Sequence, residues 1–431
     1  MIFMTPRFRE NVITKIGETW MDRKNEYITA IKEYAAGNYR KMFREMEGNL
    51  RYKFIVPGSC YHNELWDWDS WLTNLALDQF ADGTEMEEYE KGCILNFLEC
   101  TDEEGKMPIF ITPTKIFPDF SKEQETNIHK PVLAQHALFV AKKYGEAEWL
   151  RPYFDKIERY LGFYLKNCRH QGTGLFYWIN DCAIGVDNDP CTFYRPERSS
   201  GSILLNCFMF KELLAAGELA ARLRLTERAK YYEEQAVQLK SAVQEHCWDE
   251  RDGFYYSVDL NLLPVNKDVW LHSGYPRHWE CLIQRIGVWS GFLAMWSGIA
   301  TKEQAARMVR DHYLNEKSFY APYGVRTLSK QEKMYAVVRS GNPSCWLGPV
   351  WGISNYMVFK GLVDYEYVEE AKDICMKTIE LFGKDILENG QMHEYYDPES
   401  GVGVNNPGFQ NWNLLVINMI HWIECRDFSL A

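Results

Sequence analysis

The sequence lacks several features by which membrane proteins, nucleic-acid-binding proteins and metalloproteins are recognised. No apolar stretch approaches the roughly 20 residues that a membrane-spanning helix needs. The formal net charge is −12, and lysine and arginine form no stripe along the chain, which disfavours nucleic acid as a partner. The 12 cysteines are scattered without the short paired spacings of zinc or iron–sulfur sites, so we expect reduced thiols and neither a metal nor a cofactor.

Targeting and linker segments are absent as well. The first ten residues carry charges at Arg7, Arg9 and Glu10 and contain no apolar run that ends in a cleavage site, so we expect no signal peptide and a cytoplasmic protein. No stretch rich in proline, glycine or serine divides the chain. We therefore predict one domain over residues 1–431 with an N-terminal arm at 1–19, while the oligomeric state stays open.

Aromatic side chains, in contrast, are abundant. Phenylalanine, tryptophan and tyrosine make up 15% of the chain, with 15 Trp and 26 Tyr, which exceeds ordinary globular composition. Their flat apolar faces and polar edges suit sugar rings, and burial between packed helices is the alternative role. The composition is thus compatible with a small carbohydrate as the partner, without choosing between the two roles.

Amphipathic segments alternate with links that are short and long in turn. Short links, such as 145–146 and 223–226, make the segments they join antiparallel neighbours, and Thr226 and Thr301 stand where they would cap the following helices. The long links, rich in Gly, Pro, Asp, Tyr and Trp, lie near 47–68, 101–130, 167–200, 247–282, 314–348 and 384–408. The predicted helices lie near 20–46, 69–80, 85–100, 131–144, 147–166, 201–221, 227–246, 283–297, 302–313, 349–361, 366–383 and 409–425.

This alternation predicts an all-α fold, an (α/α)6 toroid built from six helical hairpins. Long loops without secondary structure are uncommon in compact domains unless they carry function, and here all of them should emerge at one end of the helices. There they would form one active-site face around a single dead-end pocket. An irregular helical bundle or an α-solenoid is the alternative. The similar segments 173–178 and 252–257 should each form a small β-hairpin after an outer helix.

Two tryptophans alternate with two aspartates where the first inner helix is predicted to begin, in the run Trp66, Asp67, Trp68, Asp69 and Ser70. Asp69 or Ser70 fits the role of an N-cap, and the indoles fit the role of core anchors. Asp67 is harder to explain as a cap. A carboxylate flanked by two indoles suits the binding of sugar hydroxyls against an apolar wall, so we expect Asp67, with Trp66 and Trp68, to bind substrate.

The loop 180–190 carries three carboxylates and no adjacent lysine or arginine. A general acid must stay protonated near neutral pH, which burial and like-charged neighbours both promote. Asp189, directly before Pro190, is typical of a turn. Asp187 does not fit a turn as easily and is the candidate general acid.

A second candidate carboxylate, Glu394, lies in the loop 389–401 between His393 and two tyrosines. Such a setting can hold a carboxylate rigidly in a pocket wall, where it orients water as a general base. The segment 397–401 reads as a turn. His393 is a candidate substrate contact, although a lone histidine is more often a packed or hydrogen-bonded residue.

Other long loops supply further candidates for substrate binding. Trp346 and Trp351 flank the sequence that leads into an inner helix, with core packing as the alternative. Arg277 and His278 stand in the loop 247–282 and could touch substrate, with a salt bridge across the loop as the alternative.

Taken together, these motifs resemble glycoside hydrolase family 63 and, more distantly, the trehalases. The resemblance implies an (α/α)6 barrel, hydrolysis of an α-glycoside with inversion, Asp187 as general acid and Glu394 as general base. Small single-domain members of this kind include hydrolases of mannosylglycerate and glucosylglycerate. The motifs that carry the resemblance stand in family order at 66–69, 185–190, 345–351 and 393–398.

One departure concerns the leaving group. Where the family pattern often has Tyr-Trp-Arg-Gly-Pro, this chain has Cys345, Trp346 and Leu347 before Gly-Pro, so an aromatic and a cation are missing. This difference disfavours glycerate as the leaving group. It does not decide whether the released sugar is glucose or mannose. A milder departure follows Asp187, where Asn188 and Asp189 precede the proline.

The mechanism implies a geometry. Inversion requires about 6.5–9.5 Å between the two carboxyl groups, to admit a water. Asp187 should lie in the drier wall, against Phe193 or Tyr194, and Glu394 should accept hydrogen bonds that keep it ionised.

Three alternatives remain at this stage. A trehalase-like hydrolase would share the fold and chemistry. A sugar epimerase or isomerase on the same barrel would move protons with pocket histidines, for which His272, His278 and His393 are the candidates. A catalytically inactive sugar-binding protein would have Asp187 or Glu394 displaced from the pocket.

Overall fold

The computed structural model describes residues 23–80, 84–122, 125–274, 277–337 and 343–425, so the predicted arm at 1–19 lies outside the described residues. Within them the chain is rich in helix, and none of the described helices is long and apolar enough to cross a bilayer. The α-helices are α1 (23–38), α2 (Asp67–Leu77), α3 (Thr84–Glu99), α4 (Leu133–Lys143), α5 (Phe154–Asn167), α6 (Ile203–Arg222), α7 (Thr226–His246), α8 (Leu293–Trp296), α9 (Lys302–Arg307), α10 (Gly352–Asp364), α11 (Val368–Asn389) and α12 (Val416–Cys425).

Most of the predicted helices are present, although several of them differ in extent or in helix type. The predicted helix at 283–297 is reduced to α8 and a 3₁₀ turn at Trp289–Phe292. Its first residues instead form a strand, Leu282–Ile283, which pairs with Val258–Asp259. The helix predicted at 302–313 continues from α9 as a π-helix over Met308–Tyr313.

The two predicted caps have different outcomes. Thr301 caps α9 in a full capping box, because its side chain accepts from the backbone N–H of Gln304 and the Gln304 side chain accepts from the backbone N–H of Thr301. Thr226 is not a cap. It is the first helical residue of α7, whose N-cap position is Leu225.

Six helical segments contact one another in sequence. The segment α2 contacts α4, α4 contacts α6, and α6 contacts α8. Next, α8 contacts α10, α10 contacts the 3₁₀ segment Asn411–Leu415, and that segment contacts α2. We call these six segments the inner helices because most of their residues are buried. Among the other helices, α7 packs on α6 and α11 packs on α10, as expected from the short links between them.

The long links contain 15 very short strands among the described residues. Three of them end just before α2, α6 and α10, and each belongs to a three-stranded antiparallel ladder that fixes where the helix begins. The segments 173–178 and 252–257 take part in hairpins as predicted. The strands are Phe43–Arg44, Phe54–Ile55, Leu65–Trp66, Phe110–Ile111, Ile116–Phe117, Ser200–Gly201, Trp248–Asp249, Phe254–Tyr255, Val258–Asp259, Leu282–Ile283, Tyr320–Ala321, Gly324–Val325, Val350–Trp351, Tyr395–Tyr396 and Gly403–Asn405.

A buried carboxylate anchors the start of α4. The first N–H groups of a helix lack partners within the helix and carry partial positive charge. Glu212 of α6 is buried and accepts from the backbone N–H of Ala134 at 2.6 Å and of Gln135 at 3.1 Å. This contact joins two neighbouring inner helices and positions the chain segment directly before α4, which contributes to the site described next.

Candidate active site

A cavity of about 480 Å³ lies at the N-terminal starts of the inner helices, within the size range of small-molecule sites. Its walls come from the beginnings of α2 and α10, from the segments before α4 and α12, and from the long loops between them. The lining residues are Tyr61, Trp66, Trp68, Asp69, Lys130, Asp181, Cys182, Ala183, Gly185, Asp187, Phe193, Ser344, Trp346, Trp351, Glu394 and Trp412.

The start of α2 is held in place by the chain around it. The strand that ends at Trp66 pairs with Phe110–Ile111, and the next backbone N–H, of Asp67, donates to the carbonyl of Ile109 at 2.9 Å. The Asp67 carboxylate accepts from the backbone N–H of Trp68 at 2.7 Å. These bonds direct the indoles of Trp66 and Trp68 into the cavity wall, as predicted for both residues.

Asp67, expected to bind sugar hydroxyls, does not line the cavity, and that expectation is wrong. Its side chain is fully buried and pairs with Lys130, with Nζ at 3.0 Å from Oδ1. The backbone N–H of Lys130 donates to the same carboxylate at 2.9 Å. The Lys130 ammonium also stands 5.3 Å from the ring centroid of Trp68. A buried pair of this kind fixes the start of α2 and leaves the carboxylate no free face for substrate.

Asp69 is the carboxylate of this motif that reaches the cavity. The helix begins two residues earlier than predicted, at Asp67, so Asp69 lies inside the first turn and does not cap it. Burial raises the pKa of Asp69 well above its usual value, and the charge of Asp67 raises it further, while Lys130 opposes both. The side-chain amide of Asn411 donates to its carboxylate.

The Asp187 loop depends on a glycine. Gly185 has φ of +93°, and a Cβ there would stand 2.7 Å from the Trp68 ring, so only glycine fits between the loop and the indole. On the far side of Asp187, the side chain of Asn188 accepts from the backbone N–H of Trp346 at 2.7 Å. These two contacts hold the half-buried Asp187 in the cavity wall, where it was predicted to be.

Asp189 forms the turn predicted for it. Its backbone carbonyl accepts from Thr192 at 2.9 Å and from Phe193 at 2.8 Å, and its carboxylate accepts from the N–H of Cys191 at 3.2 Å. This turn brings Phe193 to the cavity. Tyr194 instead is 88% exposed and is not among the lining residues, so only one of the two aromatic neighbours expected for Asp187 reaches the site.

Glu394 stands in the cavity wall, as predicted, directly before the short strand Tyr395–Tyr396. Its backbone N–H donates to the carbonyl of Asn405 at 2.9 Å, and its Oε2 accepts from the Asn405 amide at 3.1 Å. The Tyr61 hydroxyl donates to Oε1 at 3.5 Å. The expected hydrogen-bond donors are therefore present around this carboxylate.

The relative burial of the two carboxylates is the reverse of the prediction. Glu394 is only 5% exposed, whereas Asp187 is half-buried. Burial raises the pKa of Glu394 to about 7, and the negative charge of Asp187 adds to the rise, while hydrogen bonds from neighbouring amides and from Tyr61 oppose it. Desolvation outweighs the hydrogen bonds because the ladder 395–396 with 403–405 packs Glu394 into the core.

An aromatic wall completes the cavity. Trp346 and Trp351 stack with ring centroids 4.0 Å apart and 10° between their planes. The ring centroid of Trp68 lies 6.3 Å from that of Trp346 and 5.4 Å from that of Trp412. The Trp351 indole N–H donates to the carbonyl of Cys345 at 2.8 Å, which fixes the orientation of its ring. Such flat, rigid faces match the apolar face of a pyranose ring.

Three predicted substrate contacts lie elsewhere, and for these the expectation is wrong. Arg277 pairs with Glu280 at 3.0 Å, which is the alternative salt bridge, and His278 is exposed outside the cavity. The Nδ1 atom of His393 lies 2.8 Å from the Asp385 carboxylate, so its ring links the loop to α11 and does not line the cavity. Because Glu394 is the next residue, this contact positions its backbone rather than touching substrate.

Several lining residues have weak sequence signals. Tyr61 and Lys130 stand in long links but in no recognisable motif, and Asp181 was noted only as one of the three carboxylates of the loop 180–190. Phe193 was considered only as a neighbour of Asp187. Trp412 lies within a predicted inner helix, where an indole is usually assigned to the core.

Among the described residues, no group of histidine, cysteine and carboxylate side chains could hold a metal ion. All 12 cysteines are free thiols, and seven of them are buried. The residues that line the cavity supply carboxylates, an ammonium group, hydroxyl and thiol groups, and indoles.

The chain matches a known family, the mannosylglycerate hydrolase MGH1-like glycoside hydrolase domain, over residues 61–412. The mannosylglycerate hydrolase MGH1 of Selaginella moellendorffii is 23% identical, over 88% of this chain and 84% of its own length. A cytosolic neutral trehalase of Emericella nidulans is 20% identical, over 80% of this chain and 52% of its own.

A solved structure shows the same fold. The family 63 mannosylglycerate hydrolase of Thermus thermophilus, solved in complex with glucose, superposes with a TM-score of 0.62 at 18% identity. The likeness covers 92% of this chain and 98% of that one. All the residues from Trp66 to Glu394 that the cavity uses fall within the matched family segment.

Proposed function

The chain belongs to the MGH1-like glycoside hydrolases of family 63, and from this premise we propose that it is an exo-acting, inverting hydrolase of a small α-glucoside or α-mannoside. The observation that carries the proposal is that Asp187 and Glu394, from different long loops, line one cavity with an aromatic wall. Two carboxyl groups and a water suffice for hydrolysis with inversion.

In the proposed mechanism Asp187 donates its proton to the glycosidic oxygen as the bond to the anomeric carbon breaks. Glu394 takes a proton from a water, whose oxygen bonds to the anomeric carbon from the opposite face. The products are the free sugar of inverted configuration and the protonated leaving group. The proton that Glu394 gains replaces the one that Asp187 loses, and exchange with solvent restores both groups.

Electrostatic coupling supports this division of labour. Burial raises the pKa of Glu394, the charge of Asp187 raises it further, and such coupling is mutual, so ionisation of either carboxyl disfavours ionisation of the other. The state with Glu394 ionised is supported by donors at Asn405 and Tyr61. Its negative charge then favours the protonated form of Asp187, which is the productive arrangement.

The other lining residues have roles in binding. Trp346 and Trp351 form a stacked pair in the aromatic wall, Trp68 contacts Trp346 in the same wall, and Trp66 also lines the cavity. Asp69, buried beside them, is the group we assign to sugar hydroxyls in place of Asp67.

The leaving group in this proposal is uncharged. Among the described lining residues Lys130 is the one cation, and its ammonium pairs with Asp67. Leu347 stands where the family pattern often has arginine. A sugar or another neutral aglycone therefore fits better than a carboxylate such as glycerate.

The (α/α)6 toroid is part of the same proposal. The circular order of contacts from α2 through α4, α6, α8, α10 and Asn411–Leu415 back to α2 supports it, as does the packing of α7 on α6 and of α11 on α10. We also propose a single catalytic domain in the cytoplasm. The continuous buried core from α1 to α12 and the 12 free thiols support these two points.

A substrate screen tests the proposed function. Purified protein is incubated with α-linked disaccharides, including trehalose, and with mannosylglycerate and glucosylglycerate, and the released monosaccharide is measured. We expect release from neutral α-glycosides. Preference for trehalose would identify the trehalase-like alternative. Conversion of one free sugar into another would identify an epimerase, for which none of the described lining residues supplies a histidine.

The anomer of the first product is a separate prediction. Inversion of an α-linked substrate should release the β-anomer, because water attacks from the face opposite the leaving group. Proton NMR at an early time point, before mutarotation, shows which anomer forms. Prompt release of the α-anomer would eliminate the inverting mechanism while leaving hydrolase activity intact.

Replacing Asp69 by asparagine should lower kcat/KM by roughly 10- to 10³-fold, because the carboxyl group that bonds sugar hydroxyls is lost while the shape is kept. Steady-state kinetics on the best substrate of the screen measures this loss. The matched control is Asp67→Asn. That change leaves Lys130 buried without its counter-ion, so it should lower Tm strongly, whereas Asp69→Asn should not. Unchanged kcat/KM in Asp69→Asn would remove Asp69 from the site.

A further inference from the structure

A second cavity, of about 320 Å³, lies farther along the inner helices, away from the starts that form the active site. We call it the far cavity. It is lined by the later turns of α2 and α4, by the middle of α6 and α10, and by the end of α8. Its size is sufficient for a small organic ligand.

An aromatic partition separates the two cavities. Phe208 of α6 lies 6.3 Å from Trp68, which lines the active site. On its other side Phe208 lies 6.2 Å from Trp71 and 5.4 Å from Trp296, which both line the far cavity. A ligand in the far cavity would therefore contact none of the residues that line the active site.

Three lysines surround the far cavity, and two of them are neutralised. Lys142 pairs with Glu218 at 2.9 Å, and Lys360 pairs with Asp364 at 2.5 Å. Lys211 pairs with no carboxylate among the described residues. One positive charge at the cavity thus lacks a counter-ion.

The surroundings of Lys211 make this charge costly. Its ammonium stands 5.3 Å from the ring centroid of Trp296. Burial lowers the pKa of Lys211, and the nearby charges of Lys360 and Lys142 lower it further, while Asp364 opposes them. A desolvated ammonium among like charges is stabilised by an anion placed beside it.

A second polar group lies at the same cavity. Tyr356 lines it, and its hydroxyl is buried without a hydrogen bond of acceptable geometry to the described residues, although Asn418 lies beside it. Buried hydroxyl groups normally have a partner, from the protein, from water or from a ligand.

We propose that the far cavity binds a small anion, a phosphate monoester or a carboxylate on a compact ring. Lys211 supplies the counter-ion. Trp71 and Trp296 supply apolar faces for the ring, whereas Lys142 and Lys360 are already paired with Glu218 and Asp364 and leave Lys211 as the cation for the ligand. The position of the charge beside an indole favours a ligand with an anionic head and a flat body over a simple inorganic ion.

Phenyl phosphate is a suitable probe, and isothermal titration calorimetry measures its affinity. We expect binding to wild type, at least tenfold weaker binding to Lys211→Met, and binding within a few-fold of wild type to Lys211→Arg, which restores the charge. The matched control is Lys230→Met, which removes an exposed lysine of α7 and should change nothing. Phenol, without the anionic head, should bind much more weakly. Circular dichroism confirms that each variant is folded.

The same titration separates the far cavity from the active site. In Glu394→Gln the active site loses a negative charge, so an anion bound there would bind more tightly, whereas an anion in the far cavity should bind with unchanged affinity. Tighter binding to Glu394→Gln, unchanged binding to Lys211→Met, or no binding to wild type at millimolar concentration would each overturn the proposal. None of these readings depends on whether the chain hydrolyses glycosides.

Discussion

Asp187→Asn should lower kcat on a glycoside with a sugar or alkyl leaving group by about 10²- to 10⁴-fold while leaving the fold intact. The asparagine keeps the shape of the side chain but has no acidic proton to donate to the glycosidic oxygen. Because Asp187 is only half-buried, the substitution should leave Tm nearly unchanged. Initial rates and thermal melts of the purified variant measure both effects.

The leaving group distinguishes an acid from a base. The dinitrophenolate of a dinitrophenyl α-glycoside leaves without being protonated. The loss in kcat caused by Asp187→Asn should therefore shrink to about tenfold or less on that substrate. The deficit of Glu394→Gln should persist, because attack by water still needs a base. This comparison matters here because Glu394, not Asp187, is the more buried of the two. If Glu394→Gln were the variant rescued by the good leaving group, the two roles would have to be exchanged.

Asp181→Asn is the matched control for Asp187. Asp181 lines the same cavity and accepts a hydrogen bond from the backbone N–H of Tyr194 at 3.1 Å. Its loss should change kcat by about tenfold or less on either substrate, because it holds no assigned proton. A loss at Asp181 as large as that at Asp187 would mean that the loop, rather than one carboxyl, is being perturbed.

The sequence predicted which loops contribute to the cavity better than it predicted which of their side chains line it. Asp187 was found because its loop carries three carboxylates and no adjacent lysine or arginine, Glu394 because it lies between His393 and two tyrosines, and both line the cavity. The loop 247–282 was grouped with them on length alone. Its Arg277 and His278 remain outside the cavity, since length does not say where a loop folds.

The exchange of Asp67 and Asp69 has a simple physical origin. Placing the helix start at residue 69 made Asp69 a cap and left Asp67 as the ligand. The structure begins α2 at Asp67, so Asp67 is directed to the core and Asp69 to the cavity. Helix boundaries are uncertain by about two residues when read from sequence, and at a helix terminus such a shift changes which residue faces the site. Lys130, whose bonds to Asp67 determine which side of α2 faces the core, is 63 residues away in the chain and stands in no recognisable motif.

Burial of Glu394 was also beyond prediction from sequence. The flanking tyrosines indicated a rigid setting, but the pairing of Tyr395–Tyr396 with both Val350–Trp351 and Gly403–Asn405 is a tertiary feature. That pairing places Glu394 in the core and raises its pKa to about 7. The result is a carboxylate that costs stability in its ionised form, as is common for groups at functional sites.

Glu394→Gln should therefore abolish activity and yet stabilise the protein at alkaline pH. The loss in kcat should be about 10²- to 10⁴-fold or more, since a glutamine amide cannot take a proton from the attacking water. For stability, the folded pKa of about 7 lies above the usual 4.5 of glutamate. Wild type thus binds more protons when folded, and the stability this provides is full below about pH 4.5 and is lost as pH rises through about 7.

Glutamine carries no such penalty, so the difference in unfolding free energy between variant and wild type should grow from near zero at pH 4.5 to about 1–3 kcal/mol at pH 8. Thermal or urea unfolding at both pH values measures it. Glu399→Gln is the control of opposite sign in the same loop: Lys330 and Arg326 hold the pKa of Glu399 below its usual value, so its loss should destabilise at pH 8 and matter less as pH falls. If Glu394→Gln were no more stable than wild type at pH 8, the wild-type Glu394 carboxylate would not be desolvated in the free enzyme. The assignment of a base with a raised pKa would then fail.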